Sequence, residues 1–237
     1  MKNVLKSLNY LLQRIMQGFY KVAIAPRIYG KKDDYDAQKY WSDRFSKYGL
    51  SLKGAGHEGI SEVKNELAYA EAKNIFLNIC SQENIDFSTA RILEVGCGTG
   101  FYTQILSELG TQNYLGIDIT NVLFPELKQM FPHFDFIRED ITTGEIQGEF
   151  DVIIMIDVIE HIVNEDKFTS AMENIKCCLS DSGVFIIAPL LESNRQKKLF
   201  YVNFWSINDL KSRFKGYAFS EPVPFRNGYI MSIKDLK

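Results

Sequence analysis

At 237 residues the chain is long enough for one sizeable domain. Its make-up, 46% hydrophobic, 24% charged and 13% aromatic, is that of an ordinary globular protein and excludes collagen-like, coiled-coil and disordered classes. The net charge of −3 hides an asymmetry: residues 1–32 hold seven cations (Lys2, Lys6, Arg14, Lys21, Arg27, Lys31, Lys32) and no acid, leaving 20 bases against 30 acids in the rest. So acidic a body is a poor candidate for wrapping nucleic acid, which needs clustered cations, and no such partner is expected. Cys80, Cys97, Cys177 and Cys178 form no C-x-x-C pair or disulfide framework, so reduced thiols in a cytoplasmic protein are expected. No apolar run approaches the ~20 residues of a membrane span, and Asn9, Gln13 and Arg14 interrupt any signal-peptide core.

The first predicted element is an amphipathic helix over residues 4–22. At 100° per residue, Val4, Leu5, Leu8, Leu11, Leu12, Ile15, Met16, Phe19 and Val22 share an arc of roughly 140°, with Lys2, Lys6, Arg14 and Lys21 outside it. Pro26 is expected to stop it. Such a helix suits either a membrane interface or packing against protein, its own domain or a second subunit. Residues 33–48 place Tyr40, Trp41, Phe45 and Tyr48 at roughly helical spacing, and residues 51–60, with three glycines, read as a flexible loop. Ser61 is a plausible cap for a helix running to about Cys80.

From residue 90 short apolar runs alternate with helices. Strands are expected at Arg91–Val95, Tyr114–Asp118, Phe134–Arg138, Phe150–Asp157 and Gly183–Pro189, with helices at about 101–110, 121–131 and 164–179. That alternation means an α/β fold, a parallel sheet covered by helices on both faces. The tail reads as a helix at about 207–214 and strands at 216–222 and 227–234, the short turn Phe225–Gly228 making the final pair antiparallel.

The informative segment is Arg91–Thr103, where a strand runs into Gly96, Gly98 and Gly100 and a helix follows at once. Glycines there let a ligand approach the backbone at a helix N-terminus. A nicotinamide fingerprint would need Gly or Ala where Phe101 stands, and Glu94 suits a cationic ligand better than a pyrophosphate. Asp118 closes the second strand where a ribose is held, Asp140 follows the third, and Asp157, Glu160 and His161 follow the fourth.

Together Glu94-Val-Gly-Cys-Gly-Thr-Gly100, Asp118, Glu139-Asp140-Ile141, the run Phe150–His161 and Leu179–Ile187 resemble class I S-adenosylmethionine-dependent methyltransferases over about residues 62–237. They are most similar to the small-molecule branch that holds ubiquinone-pathway and sugar methyltransferases. The resemblance implies a Rossmann-like seven-stranded sheet with an antiparallel last strand. It divides the chain into a helical extension (1–32) and a methyltransferase domain (33–237), with a helical cap and lid at 33–80 and the core at 90–237. It implies S-adenosylmethionine as cofactor, with Gly96, Gly98 and Gly100 at its methionine part and Glu94 organising that loop. Asp118 would hold the ribose, Asp140 and the Ile141 amide would hold the adenine, and Cys97, Ile119 and Asp157 are further expected cofactor-binding residues.

On the acceptor side, a hydroxyl of a glycan, lipid-linked or quinone-like small molecule is expected, with His161 as the base that takes its proton. Asp157, Glu160 and His161 also have the i, i+3, i+4 spacing of a divalent-metal set, as in metal-assisted relatives. Arg44 is a candidate clamp for the cofactor carboxylate. Residues 51–60 and 189–205 are candidate lids, with Tyr201, Phe204 and Trp205 as an aromatic wall and Arg195 as a partner for an anion. His57 and His133 read as solvated loop residues. A catalytically silent scaffold of the same fold remains the competing class. A cytoplasmic location is expected, with peripheral contact to the inner face of a membrane through residues 4–22.

Overall fold

A computed structural model describes residues 15–16, 18–30, 34–56 and 60–235. Five parallel strands form its centre: β1 (Arg91–Val95), β2 (Asn113–Asp118), β3 (Asp135–Arg138), β4 (Phe150–Ile156) and β5 (Leu179–Leu190). The tail adds β8 (Tyr217–Phe219), β9 (Val223–Phe225) and β10 (Gly228–Asp235), after a separate hairpin of β6 (Gln196–Leu199) and β7 (Val202–Phe204). The sheet runs β3-β2-β1-β4-β5-β10-β8, with β9 also on β10. The antiparallel end expected from the turn at Phe225–Gly228 is present: β10 runs against β5, β8 and β9. The sheet has eight strands because two short segments, Tyr217–Phe219 and Val223–Phe225, pair with different ends of β10. Pro224, which has no N–H to donate, is tolerated in a strand at this margin.

The central strands are apolar throughout because both faces are covered. The pleat sends Ile92, Val152, Ile154 and Ile186 to one layer and Leu93, Ile153, Met155 and Phe185 to the other. The first layer is closed by α4 (Glu62–Gln82) through Phe76 and Ile79, by α5 (Phe101–Glu108) through Ile105 and Leu106, and by α6 (Phe124–Met130) through Leu127. The second is closed by α7 (Glu165–Cys178) through Phe168, Met172 and Ile175, and by α8 (Ile207–Arg213) through Leu210. Strand order reverses between β1 and β4, the switch point at which open sheets of this kind bind ligands.

Three expectations change. Pro26 does not stop a helix: a π-helical turn, Tyr20–Ile24, precedes it, and Pro26 lies in the first turn of α1 (Ala25–Tyr29). A first-turn residue has no intrahelical acceptor for its N–H, so proline costs nothing there. Residues 51–60 are not simply a loop, since α3 (Leu52–Ala55) forms within them, after α2 (Ala37–Tyr48). Arg44 of α2 gathers that segment by donating to the carbonyls of Gly54 (2.5 Å), Gly56 (2.6 Å) and Lys53 (3.0 Å). And β5 begins at Leu179 rather than Gly183. The helix expected over 4–22 lies mostly outside the described residues; residues 15–16 and 18–19 are helical. Ala25 and Tyr29 anchor that end of the chain against Tyr35, Tyr40, Val163, Phe200 and Tyr201.

Candidate active site

The loop after β1 is shaped by a backbone that only glycine adopts easily. Gly96 has φ +73°, and a Cβ there would lie 2.3 Å from Val158 Cγ2. Its N–H and that of Cys97 both donate to Ile117 O (2.7 and 3.1 Å), which ties the loop to β2. Asp118, 7% exposed at the end of β2, accepts from the Gly98 N–H on one oxygen and the Thr120 N–H on the other, both at 3.0 Å. Burial pushes its carboxyl up to about 6, against the pull of those amides. Glu94 accepts from Thr103 Oγ1 (2.8 Å) and Tyr114 OH (2.6 Å), linking β1 to α5 and β2, and burial pushes it up to about 7. Asp140 closes its own turn by accepting from the Thr142 N–H and hydroxyl at 2.8 and 2.7 Å.

These groups surround one cavity of about 150 Å³ lined by Glu94, Gly96, Cys97, Gly98, Asp118, Ile119, Asp140, Ile141, Asp157 and His161. Beside it lies a second cavity of about 580 Å³, walled by Lys21, Asn65, Glu160, Lys198, Tyr201, Phe204 and Arg226 among others. Trp41, Ala55, Asp157 and His161 line both, so the two spaces meet there. Asp157 has a left-handed φ of +58° and pairs with Arg226 Nη2 at 3.0 Å. Arg226, also left-handed at φ +49°, lies over the Tyr69 ring at 4.4 Å.

His161 sits in the 3-10 turn Ile159–His161 with Trp41 edge-on at 4.8 Å and Tyr201 stacked at 5.8 Å. Its Nδ1 is 2.9 Å from the Tyr201 carbonyl, which can only accept, so the proton is on Nδ1 and Nε2 carries a lone pair. Burial pushes its pKa down to about 4, so the ring is neutral at physiological pH. Glu160 is 8% exposed, and its Oε2 has no hydrogen-bond partner. Burial, then the Asp157 charge, raises its carboxyl well above the ordinary range.

Known proteins resemble the chain in sequence and in fold. A family model described as a methyltransferase domain covers residues 61–220. The chain belongs to the methyltransferase domain family. It is similar to a ubiquinone biosynthesis O-methyltransferase of Rhodopseudomonas palustris, 29% identical over 114 residues, 46% of this chain and 42% of that protein. It is also similar to nodulation protein S of Azorhizobium caulinodans, 26% identical over 97 residues, 40% of this chain and 46% of that one. The chain thus spans less than half the length of either relative. Among solved structures, magnesium protoporphyrin IX methyltransferase from Synechocystis with bound S-adenosylmethionine shares the fold at TM-score 0.64 and 14% identity, over 86% of this chain and 99% of that one.

Nine of the ten expected cofactor-side residues line the smaller cavity. Gly100 does not; at φ +79° it turns the chain into α5, and a Cβ there would lie 2.5 Å from Leu127. Arg44 is no carboxylate clamp: its Nε and Nη2 go to the carbonyls of the 53–56 segment and its Nη1 to Tyr40 OH. Asp157, Glu160 and His161 do not form a metal set. Asp157 is engaged by Arg226 and His161 Nδ1 by Tyr201, and among the described residues no three His, Cys, Asp or Glu side chains are gathered around one point. Of the expected aromatic wall, Tyr201 and Phe204 line the larger cavity, whereas Trp205 is buried on Phe168 at 4.1 Å. Arg195 meets Glu165 at 2.8 Å rather than facing either cavity. Arg226 and Trp41 had no distinguishing sequence signal as site residues, since neither belongs to a spaced motif.

Proposed function

We propose that the smaller cavity holds S-adenosylmethionine, and that the larger one holds a small acceptor whose hydroxyl is methylated. The observation that carries this reading is the junction of the two cavities at Asp157 and His161. The residues present fit the cofactor. A buried Asp118 carboxylate is suited to accept from ribose hydroxyls, and Gly96 and Gly98 bring the backbone close to a ligand. The bound cofactor supplies a sulfonium methyl that is electrophilic without further activation.

The protein then has two tasks, to orient the acceptor and to take a proton from its hydroxyl. A neutral His161 with its lone pair on Nε2 is in the state needed for the second. The Glu160 carboxyl, which also lines the larger cavity, is held toward its protonated form by burial, and in that form it can donate to the acceptor. The curated relatives include an O-methyltransferase of ubiquinone biosynthesis, which favours a hydroxyl as acceptor.

Titration calorimetry with S-adenosylhomocysteine, and in parallel with a nicotinamide dinucleotide, tests the cofactor half. Binding of the first alone is the expected result. A wild type that binds neither returns the chain to the scaffold reading. A screen of hydroxylated acceptors with radiolabelled methyl then tests the second half, and transfer confined to amines would refute it.

A further inference from the structure

Two elements that contribute to the lining of the larger cavity also expose apolar side chains. Twelve large apolar residues are exposed among the described residues, and seven of them are Ile15, Met16, Phe19, Tyr20, Val22, Ile24 and Ile28. Two more, Val63 and Leu67, lie one turn apart on α4. Both elements reach the cavity, residues 15–29 through Lys21, and α4 with its lead-in residue through Ile60, Asn65 and Ala68. Ile15, Phe19 and Val22, 60 to 71% exposed, have the i, i+4, i+7 spacing of one helix face. Lys21, on the other side of that turn, is the residue that faces the cavity.

Single exposed apolar side chains need no explanation, but seven within residues 15–28 do. The charge around them identifies the partner. Residues 1–32 hold seven cations and no acid, on a body otherwise ten charges negative. An outward apolar stripe with a cationic flank is the chemistry of a helix lying in an anionic lipid interface.

We propose that residues 15–28, together with Val63 and Leu67, dock this protein on an anionic bilayer, with the larger cavity opening toward the lipid. Taken with the acceptor reading above, on which this last clause rests, the acceptor is a hydroxylated amphiphile that enters from the membrane. The stripe inserts among headgroups and the cations meet lipid phosphates, while Lys21 and Lys198 line the larger cavity.

The full chain is tested by co-sedimentation with vesicles of phosphatidylcholine alone and with vesicles that also contain phosphatidylglycerol. Partition onto the second kind, weakened by salt, is expected. The double variant Phe19→Glu, Val22→Glu should lower that partition at least about tenfold. S-adenosylhomocysteine affinity, measured on the same preparation, should stay unchanged, because neither residue lines a cavity. Orientation is read with an environment-sensitive dye on Leu67→Cys, after Cys177→Ser removes the exposed native thiol. The dye should shift to the blue on vesicles, and the same dye on Ile137→Cys, 51% exposed on β3, should not.

A wild type that ignores anionic vesicles, or a double variant that still partitions, overturns the proposal. Concentration-dependent dimers abolished by the double variant, without vesicle binding, would assign the stripe to a second copy instead. Equal shifts at both dye positions overturn the orientation. Failure of cofactor binding with vesicle binding intact would count against the catalytic reading alone.

Discussion

Replacing Asp118 by Asn tests the cofactor assignment at its most exacting point. The carboxylate is nearly buried and already holds the Gly98 and Thr120 amides, so ribose hydroxyls would complete its shell. A hydrogen bond to a charged group contributes about 1.5–3 kcal/mol, and the amide keeps one accepting oxygen. The expected loss is therefore about 1.5–3 kcal/mol, roughly 10- to 150-fold in Kd. The pH dependence supplies an independent check.

A carboxyl raised from 3.8 to about 6 binds more protons in the folded protein than in the unfolded one across that window. It therefore adds stability below pH 3.8, a contribution lost as pH rises through 6. Ligand hydroxyls act in the opposite sense, because they donate to the ionised form. Wild-type affinity for S-adenosylhomocysteine should hold steady above pH 7 and weaken below 6, by roughly tenfold at pH 5. The Asn variant should be weak and flat over the same range. Calorimetry at several pH values reads both. A variant that binds within threefold of wild type, or one that keeps the wild-type pH dependence, would refute the ribose assignment.

Three further outcomes are expected. His161→Gln should lower turnover with an acceptor found by the methyl-transfer screen by about 10²–10⁴-fold, while calorimetry shows cofactor affinity within twofold of wild type; equal losses in both would make the residue structural. Arg226→Ala strands the Asp157 carboxylate. Breaking a fully buried pair costs about 3–5 kcal/mol, but these side chains are 20% and 21% exposed, so about 2 kcal/mol is expected by urea denaturation, and no change would show the pair to be idle. Gly96→Ala and Gly110→Ala share a positive φ, yet a Cβ at the first strikes Val158 and at the second meets nothing within 4 Å. The first should lose at least about tenfold in cofactor affinity, and the second should lose only about 1 kcal/mol of stability with binding intact; similar binding by both would mean that the loop is not held as described.

Much of this protein is legible without coordinates. The parallel core follows from strands that are apolar at every position, since only a sheet covered on both faces needs Val152–Ile156 to be uniformly hydrophobic. The position of the site follows from Gly96, Asp118, Asp140 and Asp157, each at or just beyond a strand's carboxyl end. Local rules decide such features, as they do the capping box at Ser206 and Asp209.

What the tertiary structure decided are the partnerships between residues far apart in the chain. Arg44 looked free to clamp a ligand, but five-donor geometry and three nearby carbonyls bind it to residues 53–56. Asp157 and His161 stand four residues apart at metal-ligand spacing, yet Arg226 and the Tyr201 carbonyl, 69 and 40 residues away, take them in different directions. Spacing along a chain specifies which side chains share a turn. Which long-range partner satisfies a buried charge is settled only when the whole fold sets its dielectric and its neighbours.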